Sequence, residues 1–212
     1  SSLLNQPTNG TARQVVGTLI FSNAGGTTEQ GEPSHGDVPG GASQWVSYQA
    51  PANGVLRVST EGSTFDTVLA VYSGSGADFT TLKMEGADNN SGTDGQDSIV
   101  SLNVTQGTLY FIVVDGVKGA TGTVRLGYEL GQGPMISRQP ISQSVIVGTN
   151  ATFFVETTNT LSTVTTNLPP LRYQWLRDGL RASGETNRTL TLRNAQIADT
   201  ADYAVIVSSF AG

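Results

Sequence analysis

Asp88, Asn89, Asn90, Asp94 and Asp97 crowd one short stretch of this 212-residue chain. Carboxylate and amide oxygens are hard donors, and such donors on a loop suit calcium. The spacing differs from an EF-hand, which needs oxygens at alternate positions and a closing bidentate Glu. A solvated turn made of turn-forming residues accounts for the same stretch. Calcium is therefore the candidate cofactor, with a plain turn as the alternative. Glu29, Glu32 and Asp66 form a second candidate ligand set. Asp66 precedes an apolar run, where Asp commonly accepts backbone N–H bonds. Glu29 and Glu32 share a Gly- and Pro-rich loop with His35, and a lone His in such a loop is expected to be solvated.

Catalytic patterns are missing. The chain has no G-x-S-x-G elbow, Walker loop, H-E-x-x-H or dinucleotide fingerprint. It has one His and no Cys, so a nucleophilic triad has only His35 to draw on. The acidic residues gather in turns rather than as a facing pair for glycoside cleavage. The reading is a non-enzyme. Asn9, Asn89, Asn103, Asn150 and Asn187 stand in N-x-S/T sequons.

The elements that must position these residues are strands. Gly, Ser, Thr, Val and Asn are abundant and long Ala/Leu/Glu/Lys stretches are absent, which points to an all-β chain. Strand-like runs recur at 15–21, 44–49, 54–60, 67–72, 98–104, 109–114 and 122–130, between Gly- and Asn-rich turns. The 109–114 run is almost uniformly apolar, as in a strand covered on both faces. Trp45 lies in an alternating run and is assigned to the core. Seven or eight such strands predict a jelly-roll-type β-sandwich over 1–131, preceded by an arm at 1–9.

The net charge is −6, split as −7 over residues 1–133 and +1 over 134–212. An acidic first half disfavours nucleic acid, whose phosphates need a basic surface. It is compatible with divalent cations. No apolar run approaches the length of a membrane span. The chain begins at Ser1 rather than Met, as a processed product or excised fragment would.

Four motifs in the first region carry a resemblance. They are Gly25 through Pro33 (GGTTEQGEP), Ser43 through Tyr48 with Ala50-Pro51, Ser63 through Tyr72 (STFDTVLAVY), and Gly107 through Gly116 (GTLYFIVVDG). In this order they resemble the bacterial pre-peptidase C-terminal domain. The resemblance implies a secreted, non-catalytic β-sandwich module of the kind attached to proteases and large surface proteins. Some members bind calcium and some bind matrix polymers. Asp88-Asn89-Asn90 is less acidic than the Asn-Asp-Asp loop usual in that family.

After Gly133-Pro134, residues 134–212 resemble an immunoglobulin-like domain of bacterial surface proteins. The resemblance implies that Trp175 is the core Trp and that Tyr203 forms a tyrosine corner. Val155 and Val205 occupy the positions that hold a disulfide in antibody domains, so these four residues are the expected core. The sequence stops at Phe210-Ala211-Gly212, before the last strand of such a domain. The expected consequence is an open edge along Tyr203, Val205 and Val207. An unpaired edge templates pairing with another chain. One donor is the arm containing Ser1, Ser2, Leu3 and Leu4 from a neighbouring copy, giving head-to-tail filaments. The other is an adjoining segment of a longer protein.

The function expected is an extracellular, cell-surface structural or adhesion protein. The alternative is an accessory module of a secreted hydrolase, binding polysaccharide, matrix protein or calcium.

Overall fold

The computed structural model describes residues 11–158 and 171–211. The chain divides into two compact units, Ser1–Leu130 and Gly131–Gly212. The architecture is all-β, with short 3-10 turns as the only helical pieces among the described residues. No helix among them is long and apolar enough to cross a membrane.

The first unit contains β1 (Thr11–Ala12), β2 (Val16–Ser22), β3 (Gln44–Gln49), β4 (Gly54–Ser59), β5 (Thr67–Gly74), β6 (Leu82–Asn89), β7 (Ile99–Val104), β8 (Leu109–Gly116) and β9 (Thr123–Gly131). They form a five-stranded sheet in the order β1-β3-β8-β5-β6 and a four-stranded sheet in the order β2-β9-β4-β7. Side chains alternate across a strand. Val46, Tyr48, Leu69, Val71, Ile112 and Val114 therefore share the face of the larger sheet that meets Leu56, Val58, Val124 and Leu126 of the smaller one. All of these are buried, and the Tyr48 and Tyr128 rings meet across the interface at 5.6 Å.

The other face of the larger sheet is covered too. Trp45, Ala70, Tyr72, Phe111 and Val113 make a second cluster with Phe79 and Leu82. This explains why β5 and β8 read as nearly continuous apolar runs. A short helical turn at Phe79–Thr81, capped by the Asp78 carboxylate, brings Phe79 onto that cluster.

Period-2 patterning anticipates neither the two-residue β1 nor β6. β6 reads LKMEGADN, with charge and glycine where alternation would place apolar residues. It is an edge strand, bulged at Glu85, where Val71 faces Gly86 but Tyr72 faces Met84. Charges and bulges are how edges are kept from pairing onward. β6 also takes Asp88 and Asn89 out of the expected loop and into a strand.

The second unit contains β10 (Met135–Arg138), β11 (Ala151–Phe154), β12 (Glu156–Thr158), β13 (Arg172–Arg177), β14 (Leu180–Arg181), β15 (Thr189–Leu192) and β16 (Tyr203–Ser208). They pair as β10-β12, β11-β15 and β14-β13-β16. Trp175 and Val155 are wholly buried. Trp175 donates its indole N–H to Asn187 O at 2.9 Å, which satisfies its one polar atom. The Tyr203 hydroxyl donates to Asp199 O at 2.9 Å, and its ring stacks on Phe153 at 5.3 Å. Val205 faces Trp175 across the β13/β16 ladder but is only half-buried.

Candidate functional site

The described residues hold three polar constellations in the first unit and one unfilled cleft in the second. The acidic loop comes first. Asp88 Oδ2 accepts the Ser91 N–H and hydroxyl and the Ile99 N–H, at 3.1, 2.6 and 2.8 Å. Asp94 Oδ1 accepts the Gln96 and Asp97 amides, both at 2.9 Å, which hold its carboxyl below the usual range. Asp97 Oδ2 accepts the Gly62 N–H at 2.8 Å. Asn90 turns the chain at φ 79°, a left-handed conformation that Asn tolerates. Asp88 and Asp94 close the loop by binding its own amides, and Asp97 ties it to Gly62. These carboxylates do not converge on a common point, and no three acidic or His side chains among the described residues are placed to hold a metal ion. Asp97 Oδ1 is left buried without a hydrogen-bond partner, and so is Asp66 Oδ1. Burial, and after it the charges of Asp94 and Glu61, push the Asp97 carboxyl up.

The second constellation corrects an expectation. His35 is not solvated; it is 4% exposed, against the Trp45 and Tyr72 rings at 5.5 and 5.9 Å. Both ring nitrogens have partners, which permits the burial. Glu32 Oε1 lies 3.2 Å from His35 Nε2 and accepts the Trp45 indole N–H at 2.8 Å. Tyr72 Oη lies 2.9 Å from His35 Nδ1. An ionised Glu32 has no proton to give, so Nε2–H donates to it and Nδ1 accepts the Tyr72 hydroxyl proton. Glu32 Oε2 accepts the Glu29 N–H at 2.7 Å, so Glu29 contributes its backbone here. Burial raises the Glu32 pKa, but hydrogen bonds from His35, Glu29, Ser43 and Trp45 together outweigh it and hold it below 4.5. Burial and the Glu32 charge push Tyr72 up to about 12. The network pins a long loop to β3 and β5. His35 and Tyr72 are both buried.

Asp115, at the end of β8, makes the third. Its carboxylate accepts the Gly41, Ala42 and Gly116 amides at 2.7–3.0 Å. Gly40 is required beside it, because a Cβ there would lie 1.6 Å from Asp115 Oδ2. Patterning found Tyr72 and Asp115 only as members of apolar runs. Polar endings on otherwise apolar strands were the available signal.

The cleft of the second unit has different character. It encloses about 660 Å³ and is lined by Val145, Val147, Phe153, Leu192, Ile197 and Tyr203, among others. One wall runs from Ala195 to Tyr203, the first residue of β16, and β16 pairs with β13 on one side and with no strand on the other among the described residues. The other wall is residues 140–147, which belong to no strand. Ile141, Ile146, Val147 and Ile197 are 56–81% exposed around it. Along β16, Tyr203, Val205 and Val207 point inward yet stay half-buried. The arm with Ser1, Ser2, Leu3 and Leu4 lies outside the described residues.

No family model matches this chain, and no curated protein matches it. Among solved structures it is similar to the pre-peptidase C-terminal domain of a collagenase from Bacillus anthracis, at 13% identity and a TM-score of 0.38, over 59% of this chain and 99% of that one. It is also similar to PliG of Aeromonas hydrophila, a periplasmic inhibitor of g-type lysozyme, at 15% identity and a TM-score of 0.35, over 57% and 96%. A tandem segment of titin aligns at 12% identity and a TM-score of 0.34, over 96% and 93%.

Proposed function

We propose that this chain is a non-catalytic, extracellular structural or adhesion module whose second unit accepts a β-strand. The observation that carries the reading is the unpaired edge of β16 beside the cleft of about 660 Å³. An open edge offers a row of N–H and C=O groups, and a cleft with alternate apolar positions offers side-chain pockets. An extended segment running antiparallel to β16 satisfies both and covers the half-buried Tyr203, Val205 and Val207. The residue-level resemblance to secreted modules supports the extracellular setting. The donor in this reading is the arm bearing Ser1, Ser2, Leu3 and Leu4 of a neighbouring copy, and repeated donation builds a head-to-tail filament.

Light scattering and negative-stain microscopy on the 212-residue chain, beside a version lacking residues 1–6, test this. The expected result is elongated polymers that disappear with the deletion. Folded monomers in both samples would remove strand donation by the arm.

A further inference from the structure

A second open edge lies in the first unit, and its sequence says what would cover it. β2 borders the four-stranded sheet, and no strand pairs with its outer side among the described residues. Its residues, VGTLIFS, include neither charge nor proline. β6, at the border of the other sheet, has Lys83, Glu85, Asp88 and a bulge. Natural sheets protect exposed edges with such features, and β2 has none of them.

The burial pattern agrees. Leu19 and Phe21 point inward from β2 but remain half-buried, while Leu126 and Val124, their partners on β9, are wholly buried. Ile20, on the outer face, is 70% exposed. The apolar flank of β2 is one strand short of cover.

We propose that β2 pairs antiparallel with β2 of a second copy, joining the two four-stranded sheets into one continuous sheet across a two-fold axis. The strand is complementary to its own reverse when centred on Leu19. On the inner face, Leu19 meets Leu19 of the second copy, and Phe21 meets Gly17 of the second copy. Gly17 can carry no side chain, because the Tyr128 hydroxyl lies 2.2 Å from where its Cβ would be. On the outer face Thr18 meets Ile20 of the second copy, a pair of β-branched residues suited to a pleated surface. Such an interface uses one patch on both subunits and closes at two copies.

Charge placed on the outer pair tests both contact and register. In an isologous dimer each substituted pair occurs twice, so Thr18→Lys with Ile20→Lys sets like charges opposite each other at two places. Sedimentation equilibrium on the chain lacking residues 1–6, which separates pairing through β2 from arm donation, should give a mass near twice that of one copy, with association weakened about tenfold or more in the double-Lys variant of the same shortened chain. Thr18→Lys with Ile20→Glu should restore the dimer. Both positions face solvent, so circular dichroism spectra should match the unaltered chain and show that the variants fold. A monomer at every concentration overturns the proposal. So does a dimer indifferent to the two lysines, or one not restored by the opposite charges.

Discussion

The two units share a fold class and differ in closure. In the first, two sheets bury a continuous core and a loop layer covers the back of the larger sheet, so β3, β5 and β8 are buried on both faces. In the second, the residues buried among those described are Ala151, Val155, Trp175, Leu190 and Ala195. Large apolar side chains around them, Ile141, Val147 and Ile197 among them, face solvent. Apolar sequence is therefore not sufficient for a closed core. Each sheet edge must also find a partner, because a strand missing from a ladder uncovers the inward side chains of its neighbour. In the first unit the edge strand β6 carries charges and a bulge, and β2 carries neither. In the second, the whole of β16 lacks a partner on one side among the described residues.

The largest expected effect breaks the weaker core. Trp175→Ala should cost about 3–5 kcal/mol, and Leu126→Ala in the first unit about 2–5 kcal/mol. Calorimetry should show the transition of the second unit lost in the Trp175 variant. The Leu126 variant should keep both transitions, with the first unit's moved down. Equal tolerance of the two substitutions would contradict the contrast in closure.

The next sharpens what holds the loop layer of the first unit. Glu32 has a lowered pKa in the folded chain, so its contribution is complete above 4.5 and is lost as pH falls through the folded value. Asp97 is raised and acts in the opposite sense. Urea midpoints of the first unit measured from pH 6 to pH 3 should fall, and Glu32→Gln should flatten that fall. At pH 7 the same variant should lose about 1–3 kcal/mol for each donor left unsatisfied. An unchanged pH slope would mean that the Glu32–His35–Tyr72 network is not the acid-sensitive element.

The smallest concerns one bond. Tyr203→Phe keeps the stack on Phe153 and removes the hydroxyl donated to Asp199 O. The loss expected in the second unit is about 0.5–1.5 kcal/mol, read as a shift in its denaturation midpoint.

Strand patterning was legible where a strand is buried. Residues 44–49 and 109–114 were read with the bounds of β3 or nearly those of β8, because burial imposes apolar side chains at a spacing the chain itself displays. β6 was illegible for the converse reason, since an edge strand is held by ladder hydrogen bonds that leave no mark on side-chain order. The loop at 88–97 was legible as a set of oxygen donors. Which protons those oxygens accept was not, because Asp88 reaches Ile99 and Asp97 reaches Gly62, partners distant in sequence.

The sequence by itself determined that this chain is all-β, rich in turns, poor in the residues of catalysis, and built around Trp45 and Trp175. These properties follow from composition and from a two-residue period, both local. Only the tertiary structure decided that His35 is buried between Glu32 and Tyr72, that Asp115 holds the Gly41 turn, and that β2 and β16 each have an unpaired side among the described residues. Each of these depends on which distant segment arrives beside which. Long-range pairing sets that, and no single stretch of the chain encodes it.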